Sequence, residues 1–291
     1  MNSMFINIFL PVLLACSGDS SDSHLAFSSF DSITHDGEER NFGMYVPESY
    51  DGSSDVPLVV NFHGGCMDAG SQLDEMDMRA LSDANNFILV YPEGTSESGQ
   101  GSCLIWNSGP YVDLGDTKAS ADDLGFVRAM VDDITNTYTI DSNRIYATGF
   151  SNGGFMTYAS ACYLSDVFSA IAPIAAMMTE ESLDPNSSNP CQSNQPMPVI
   201  HLHGSNDNDV PIESGEEAVT YWVERNNLME VNRETEQNGN QGTIEHVSYS
   251  GETSVSVQYY KINGGSHVTF DDIDFQGSDS RQLIWNFFAD Q

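Results

Sequence analysis

The chain has 291 residues, 40% of them apolar, and carries a formal charge of −34 from 43 acidic side chains against nine Lys and Arg. A field of that sign repels polyanions, so nucleic acid and anionic bilayer surfaces are excluded as partners. The apolar fraction is enough for a sizeable core, and lysine only at positions 118 and 261 suits an exported protein of a saline habitat.

The first residues do not read as part of a fold. Met4 to Leu14 form an apolar stretch too short to span a bilayer comfortably and placed as the h-region of an export signal. Leu13-Leu14-Ala15-Cys16 then has the form of a bacterial lipobox, in which Cys16 is lipidated and becomes the new N-terminus. Ser17 to Ser23 follow as a Ser/Asp/Gly tether. No Lys or Arg precedes the apolar run, which leaves an ordinary secretory signal or a buried N-terminal segment as alternatives. The expected division is residues 1–16 as signal, 17–24 as tether, and 25–291 as one domain. A membrane is reached only through the lipid anchor.

Arg40 to Val46 and Val56 to Asn61 read as strands, the second an almost continuous apolar run closed by His63-Gly64-Gly65. Asp74 to Asn85 has helical spacing, Phe87 to Tyr91 is a buried strand, and Glu93 to Asp122 is a loop. Leu124, Val127, Met130, Val131 and Ile134 define a helix face capped by Asp122 or Asp123. The strand Arg144 to Thr148 leads into a helix from about Asn152 to Leu164. Strands at Ala170 to Ile174 and Val199 to His203 precede a helix at Glu213 to Asn227. The polar stretch Glu230 to Gly242 reads as a loop, Ile244 to Tyr249 and Ser254 to Ile262 as strands, and Arg281 to Phe288 as a closing helix. Alternation of strand and helix predicts an α/β fold, a mostly parallel sheet with helices on both faces.

Besides Cys16 there are four cysteines, an even number that favours two disulfides in an exported chain. Three connectivities are open, and pairing of consecutive cysteines, Cys66–Cys103 and Cys162–Cys191, is preferred. No C-x-x-C pair is present, so no zinc site is expected.

The chemistry gathers around Gly149-Phe150-Ser151-Asn152-Gly153, a G-x-S-x-G nucleophile elbow at a strand-to-helix junction. The turn is too tight for a Cβ on either side, and it lifts the Ser151 hydroxyl above the sheet. A serine needs a base, and the base an orienting carboxylate, in the chain order Ser, acid, His. Asp207, in the loop after the Val199 to His203 strand, is the expected acid, with Asp209 second. His267, in Gly264-Gly265-Ser266-His267, is the expected base. Asp207 could otherwise cap the following helix, or hold calcium together with Asp209, although no segment has the spacing of a defined calcium loop. His201 and His203 flank a buried strand end and read as structural. Backbone N–H groups of Asn152, Gly65 and Cys66 are the expected oxyanion donors.

Collinear blocks carry a resemblance. They include Pro57 to Gly64, Ala80-Leu81-Ser82-Asp83 with Phe87 to Gly94, Trp106-Asn107, Asp122 to Phe126, Asp141 to Gly154, Ala170 to Ala175, and His203-Gly204 to Val210-Pro211. Over roughly residues 40–290 the chain resembles the secreted polyhydroxybutyrate-depolymerase and feruloyl-esterase family of α/β hydrolases. The resemblance implies an α/β-hydrolase fold, the triad Ser151, Asp207 and His267, and no cofactor. Trp106 is a candidate for stacking on substrate at the cleft mouth, with a core role as the alternative. Val268-Thr269-Phe270 stand where the family often has Trp and Pro after the histidine, which puts Phe270 at the cleft wall.

The expected function is therefore a serine carboxylic ester hydrolase acting through an acyl-enzyme, on feruloyl or acetyl esters of polysaccharides. Hydroxyalkanoate oligomers or other short polyesters are the second substrate class. A peptidase and a catalytically dead binding lipoprotein are the remaining readings.

Overall fold

Side chains of successive strand residues point to opposite faces of a sheet, and in this chain both faces are apolar. The computed structural model describes residues 27–96, 103–108, 121–193, 195–239 and 242–291. Cys16, the export segment and the tether lie outside the described residues. The chain runs β1 (Ser29–His35), β2 (Glu38–Tyr45), β3 (Val56–Phe62), α1 (Ala69–Glu75), α2 (Arg79–Asn85), β4 (Ile88–Pro92), α3 (Asp123–Thr137), β5 (Ile140–Phe150) and α4 (Asn152–Tyr163). It continues through β6 (Ala170–Ile174), α5 (Glu180–Leu183), β7 (Val199–Gly204), α6 (Ile212–Arg225), β8 (Met229–Gln237), β9 (Thr243–Ser250), β10 (Ser256–Ile262) and α7 (Ser280–Ala289).

Among the described residues, ten strands form one sheet in the order β1-β2-β4-β3-β5-β6-β7-β10-β9-β8. The six from β4 to β10 are parallel neighbours, and both flanks are antiparallel. The parallel centre is buried on both sides, which is why β3, β4 and β6 are apolar almost throughout, while β7 is equally buried but carries His201 and His203. On one side Leu58, Val60, Ile88, Val90 and Ile171 pack with Phe126 and Met130 of α3, Tyr158 of α4 and Trp222 of α6. On the other, Val59, Leu89, Tyr91, Ala170 and Ala172 pack with Leu73 of α1 and Ile284, Trp285 and Phe288 of α7. Phe87 stacks on Trp285 and Tyr146 on Phe288, with ring centroids 4.0 and 4.6 Å apart.

The expected α/β architecture is thus present, with three local differences. The helix expected over Asp74 to Asn85 is two helices. Asp68 caps the first by accepting from the Ser71 N–H, and the chain breaks at Met76 to Met78, where Asp77 accepts from the Arg79 N–H. The stretch from Glu230, expected as a loop, is largely strand β8, whose side chains are almost all exposed. A polar strand at a sheet edge has no apolar face to betray it. Strand β1 and the single-turn α5 lie outside the expected elements, and β1 is likewise half exposed.

Both expected disulfides form, Cys66–Cys103 and Cys162–Cys191. Among the described residues, no helix is long and apolar enough to cross a membrane.

Candidate active site

Strand β5 ends at Phe150 and α4 begins at Asn152, so Ser151 alone makes the turn, at φ 53° and ψ −119°. A side chain rarely adopts that backbone conformation, and here the packing enforces it. A Cβ on Gly153 would lie 2.1 Å from the Phe62 carbonyl oxygen, and one on Gly149 would lie 2.5 Å from that of Gly153. Helix α4 can therefore press against the end of β3 only with glycine at those positions. The Ser151 N–H donates to the Ile174 carbonyl, anchoring the turn to β6.

Three loops at the carboxyl ends of β5, β7 and β10 bring their side chains together. Ser151 Oγ is 2.8 Å from His267 Nε2, and His267 Nδ1 is 2.7 Å from Asp207 Oδ2. A carboxylate only accepts, so Nδ1–H donates to Asp207 and Nε2 is left to accept the serine proton. The other Asp207 oxygen accepts N–H groups from Asp209 and Val210, at 2.9 and 2.8 Å. The Asp207 side chain is buried, whereas His267 is partly exposed and rests against the Phe150 ring. Asp209 is exposed and does not take the acid's place in this line.

Asp207, Asp209 and His267 have donor atoms near enough to one another to share a cation, as do His35, Asp36 and Asp122. In the first group both Asp207 oxygens already accept hydrogen bonds.

The expected oxyanion donors lie on α4 and the loop after β3. Asn152 is the first residue of α4, and a helix leaves its first N–H groups without internal acceptors. Gly65 is exposed, and a Cβ on it would lie 3.7 Å from that of Asn152. Cys66 does not join them. Its N–H donates to the Leu104 carbonyl at 2.8 Å, because the chain pairs there with the segment to which its disulfide leads.

Two further expectations are corrected. Trp106 is no stacking platform at the mouth: it is 2% exposed, packs edge-on against Phe62, and donates its indole N–H to the His63 carbonyl. Phe270 is 1% exposed and belongs to the α7 side of the core, drawn in where the Ser280 N–H reaches its carbonyl. The apolar side chain that the histidine loop does expose is Val268, at 42%.

Some positioning residues are not singled out by the sequence patterns. The carboxamide of Asn152 accepts from the Trp106 N–H and donates to the Trp106 carbonyl. Asn107 donates its N–H to Asp123, which is buried with Arg40 as its partner. Burial raises the Asp123 carboxyl pKa, and the guanidinium opposes that rise. His63 Nδ1–H donates to the Gly64 carbonyl while Nε2 accepts from the Gly94 N–H. Full burial pushes the His63 pKa down to about 4, so it is neutral and holds the Gly64-Gly65 turn in one place. An ionisable residue directly after an almost continuous apolar strand is the signal that marks it.

Residues 115–243 match the phospholipase/carboxylesterase family model. Acetyl xylan esterase from Aspergillus awamori superposes with a TM-score of 0.65 at 17% identity, over 90% of this chain and all of that one. The chain has the α/β-hydrolase fold. Curated relatives match at modest identity over more than half of the chain. Feruloyl esterase B of Piromyces equi is 30% identical over 80% of the chain, and poly(3-hydroxyalkanoate) depolymerase C of Paucimonas lemoignei is 27% identical over 89%. A bifunctional acetylxylan esterase/xylanase of Neocallimastix patriciarum is 30% identical over 59%. The chain spans 43%, 65% and 22% of the lengths of these three relatives. The resemblance read from the motifs is borne out.

Proposed function

We propose that this chain is a serine carboxylic ester hydrolase that works through an acyl-enzyme, with feruloyl or acetyl esters of polysaccharides as substrates. The observation that carries the reading is the hydrogen-bonded line from Ser151 Oγ through His267 to Asp207, set at a strained elbow. Ser151 attacks the ester carbonyl as its proton passes to His267 Nε2. Asp207 orients the imidazole and stabilises it when charged. The tetrahedral oxyanion is held by the N–H groups of Asn152 and Gly65. His267 returns the proton to the leaving alcohol; water, deprotonated by the same nitrogen, then attacks the acyl carbonyl, and the proton passes back to Ser151 Oγ as the acid leaves. Substrate-class support comes from the relatives named feruloyl esterase and acetylxylan esterase.

Polyester oligomers are the second reading, favoured by one observation: the depolymerase relative matches 89% of this chain. The chain is read as exported, since disulfides persist in oxidising compartments. In this reading residues 25–291 form the catalytic domain and Cys16 carries lipid. Palmitate labelling lost in Cys16→Ala would support the anchor, and labelling of neither protein would leave a freely secreted enzyme.

The deciding experiment compares methyl ferulate, p-nitrophenyl acetate and a 3-hydroxybutyrate oligomer as substrates of the parent and Ser151→Ala. Ferulate preference abolished in the variant is the expected result. Preference for the oligomer would favour polyester turnover. Absence of Ser151-dependent hydrolysis, together with no labelling of Ser151 by a fluorophosphonate, would overturn the reading.

A further inference from the structure

Behind the acid loop lies a buried polar line that the chemistry above does not use. His203 Nε2 is 3.0 Å from the Val210 carbonyl oxygen and 3.4 Å from Asp207 Oδ2, the oxygen that receives His267. His203 Nδ1 is 3.0 Å from His201 Nε2, and His201 Nδ1 is 2.8 Å from the Tyr158 hydroxyl. All three side chains are at most 1% exposed.

Only one arrangement of protons satisfies every member. The Val210 carbonyl and Asp207 can only accept, so His203 carries its proton on Nε2 and accepts at Nδ1. His201 therefore donates from Nε2 and accepts at Nδ1, and Tyr158 must donate. Burial supports neutrality throughout, holding both imidazoles below their ordinary pKa and the phenol above its own. The charged and titratable groups around the line are otherwise engaged. Tyr259 of β10 lies beside His201, Glu216 of α6 is paired with Lys261 and Tyr259, and the exposed Asp209 has its carboxylate near Asp207 and His267. Gly215 of α6 makes room, since a Cβ there would lie 2.3 Å from His203 Nδ1.

We propose that Tyr158, His201 and His203 are positioning residues for Asp207, linking the helix that begins at the nucleophile to the loop that carries the acid. This rests on the triad reading above. The His203 N–H does two things. Through the Val210 carbonyl it fixes the turn whose N–H groups hold Asp207 Oδ1. Against Oδ2 it draws off part of the carboxylate's negative charge, and so limits how strongly Asp207 raises the basicity of His267. A charged His203 in that place would compete with His267 for the carboxylate, and the Tyr158 hydroxyl, by donating to His201 Nδ1, fills the last acceptor and keeps the line neutral and pointed one way.

The test is the pH dependence of p-nitrophenyl acetate hydrolysis by the full chain, its Ser151→Ala control, and His203→Leu, His203→Gln and Tyr158→Phe, with thermal melting of each. His203→Leu should lower kcat about tenfold with little change in KM, and move the acid limb of kcat/KM upward by about half a pH unit. His203→Gln retains an N–H and should recover most of both. Tyr158→Phe should move the acid limb the same way by less, and it decides the matter if His203→Leu does not fold. Variants that melt lower yet keep the parent's acid limb and kcat would overturn the proposal while leaving the triad intact. A Ser151→Ala protein as active as the parent would instead overturn the triad reading, and this proposal with it.

Discussion

The carboxamide of Asn152 closes a two-bond ring with the backbone of Trp106, accepting from its N–H at 2.7 Å and donating to its carbonyl. The residue after the candidate nucleophile thereby grips a segment 46 positions upstream in sequence. Asn152→Ala would take from both Trp106 backbone groups the side-chain partner they have among the described residues. The expected cost is about 2–4 kcal/mol of stability, with kcat lowered because the first turn of α4 loses its brace. Urea unfolding beside steady-state kinetics checks this, and an unchanged midpoint would count against it.

The two disulfides close loops of similar length, with sequence separations of 37 and 29. Chain entropy alone makes them nearly equivalent, at about 3–4 kcal/mol each. Their places differ. Cys66 adjoins Gly65 of the candidate oxyanion turn, whereas Cys162 and Cys191 are buried on the α4 side of the core. Replacing Cys66 and Cys103 together by Ala should lower kcat as well as the melting temperature. The Cys162/Cys191 double variant should lower only the latter. Equal kcat losses in the two would refute the distinction.

His63, with a folded-state pKa of about 4, is charged in the unfolded chain at pH values where the native chain keeps it neutral. The unfolded state then binds more protons, so stability is full above about pH 6.5 and falls as pH drops toward 4. His63 alone contributes a loss of about 3 kcal/mol by the bottom of that window. His201 and His203, depressed in the same direction, steepen the slope. An unfolding free energy that stays flat from pH 6.5 to 5 would show that these imidazoles are not held neutral.

A formal charge of −34 on 291 residues sets repulsion against compaction. Added salt screens it, with a Debye length near 8 Å at about 0.15 M and about 3 Å at 1 M. The melting temperature should therefore rise between these concentrations, by the same amount in NaCl and KCl if screening is the cause. A fall, or a rise only in sulfate, would point elsewhere.

What the sequence makes legible follows burial. The parallel strands announce themselves because both their faces are covered, and the elbow because steric crowding at Ser151 demands glycine at 149 and 153. Strands β1 and β8 do not, since their residues meet water and carry no period of apolar side chains. The orientation of aromatic residues is equally hidden. Trp106 sits in a loop by sequence, yet its indole has a partner only inside, at the His63 carbonyl. Phe270 adjoins the histidine loop but turns under it at φ 61°. Whether the Cys66 N–H is available was decided by a pairing with Leu104 that no local pattern encodes.

Strand β8 leaves the sheet open on one side, with Met229 and Val231 exposed at 74% and 60% and, among the described residues, no strand on its outer edge. Such an edge is a template for another chain. Here Glu230, Glu234 and Glu236 line it, and Arg233, the cation among them, is already engaged by Glu230 and Glu245. Two copies meeting edge to edge would bring like charges face to face. The border is thus guarded by repulsion and not by a covering element, and the same brine that firms the fold also thins that guard.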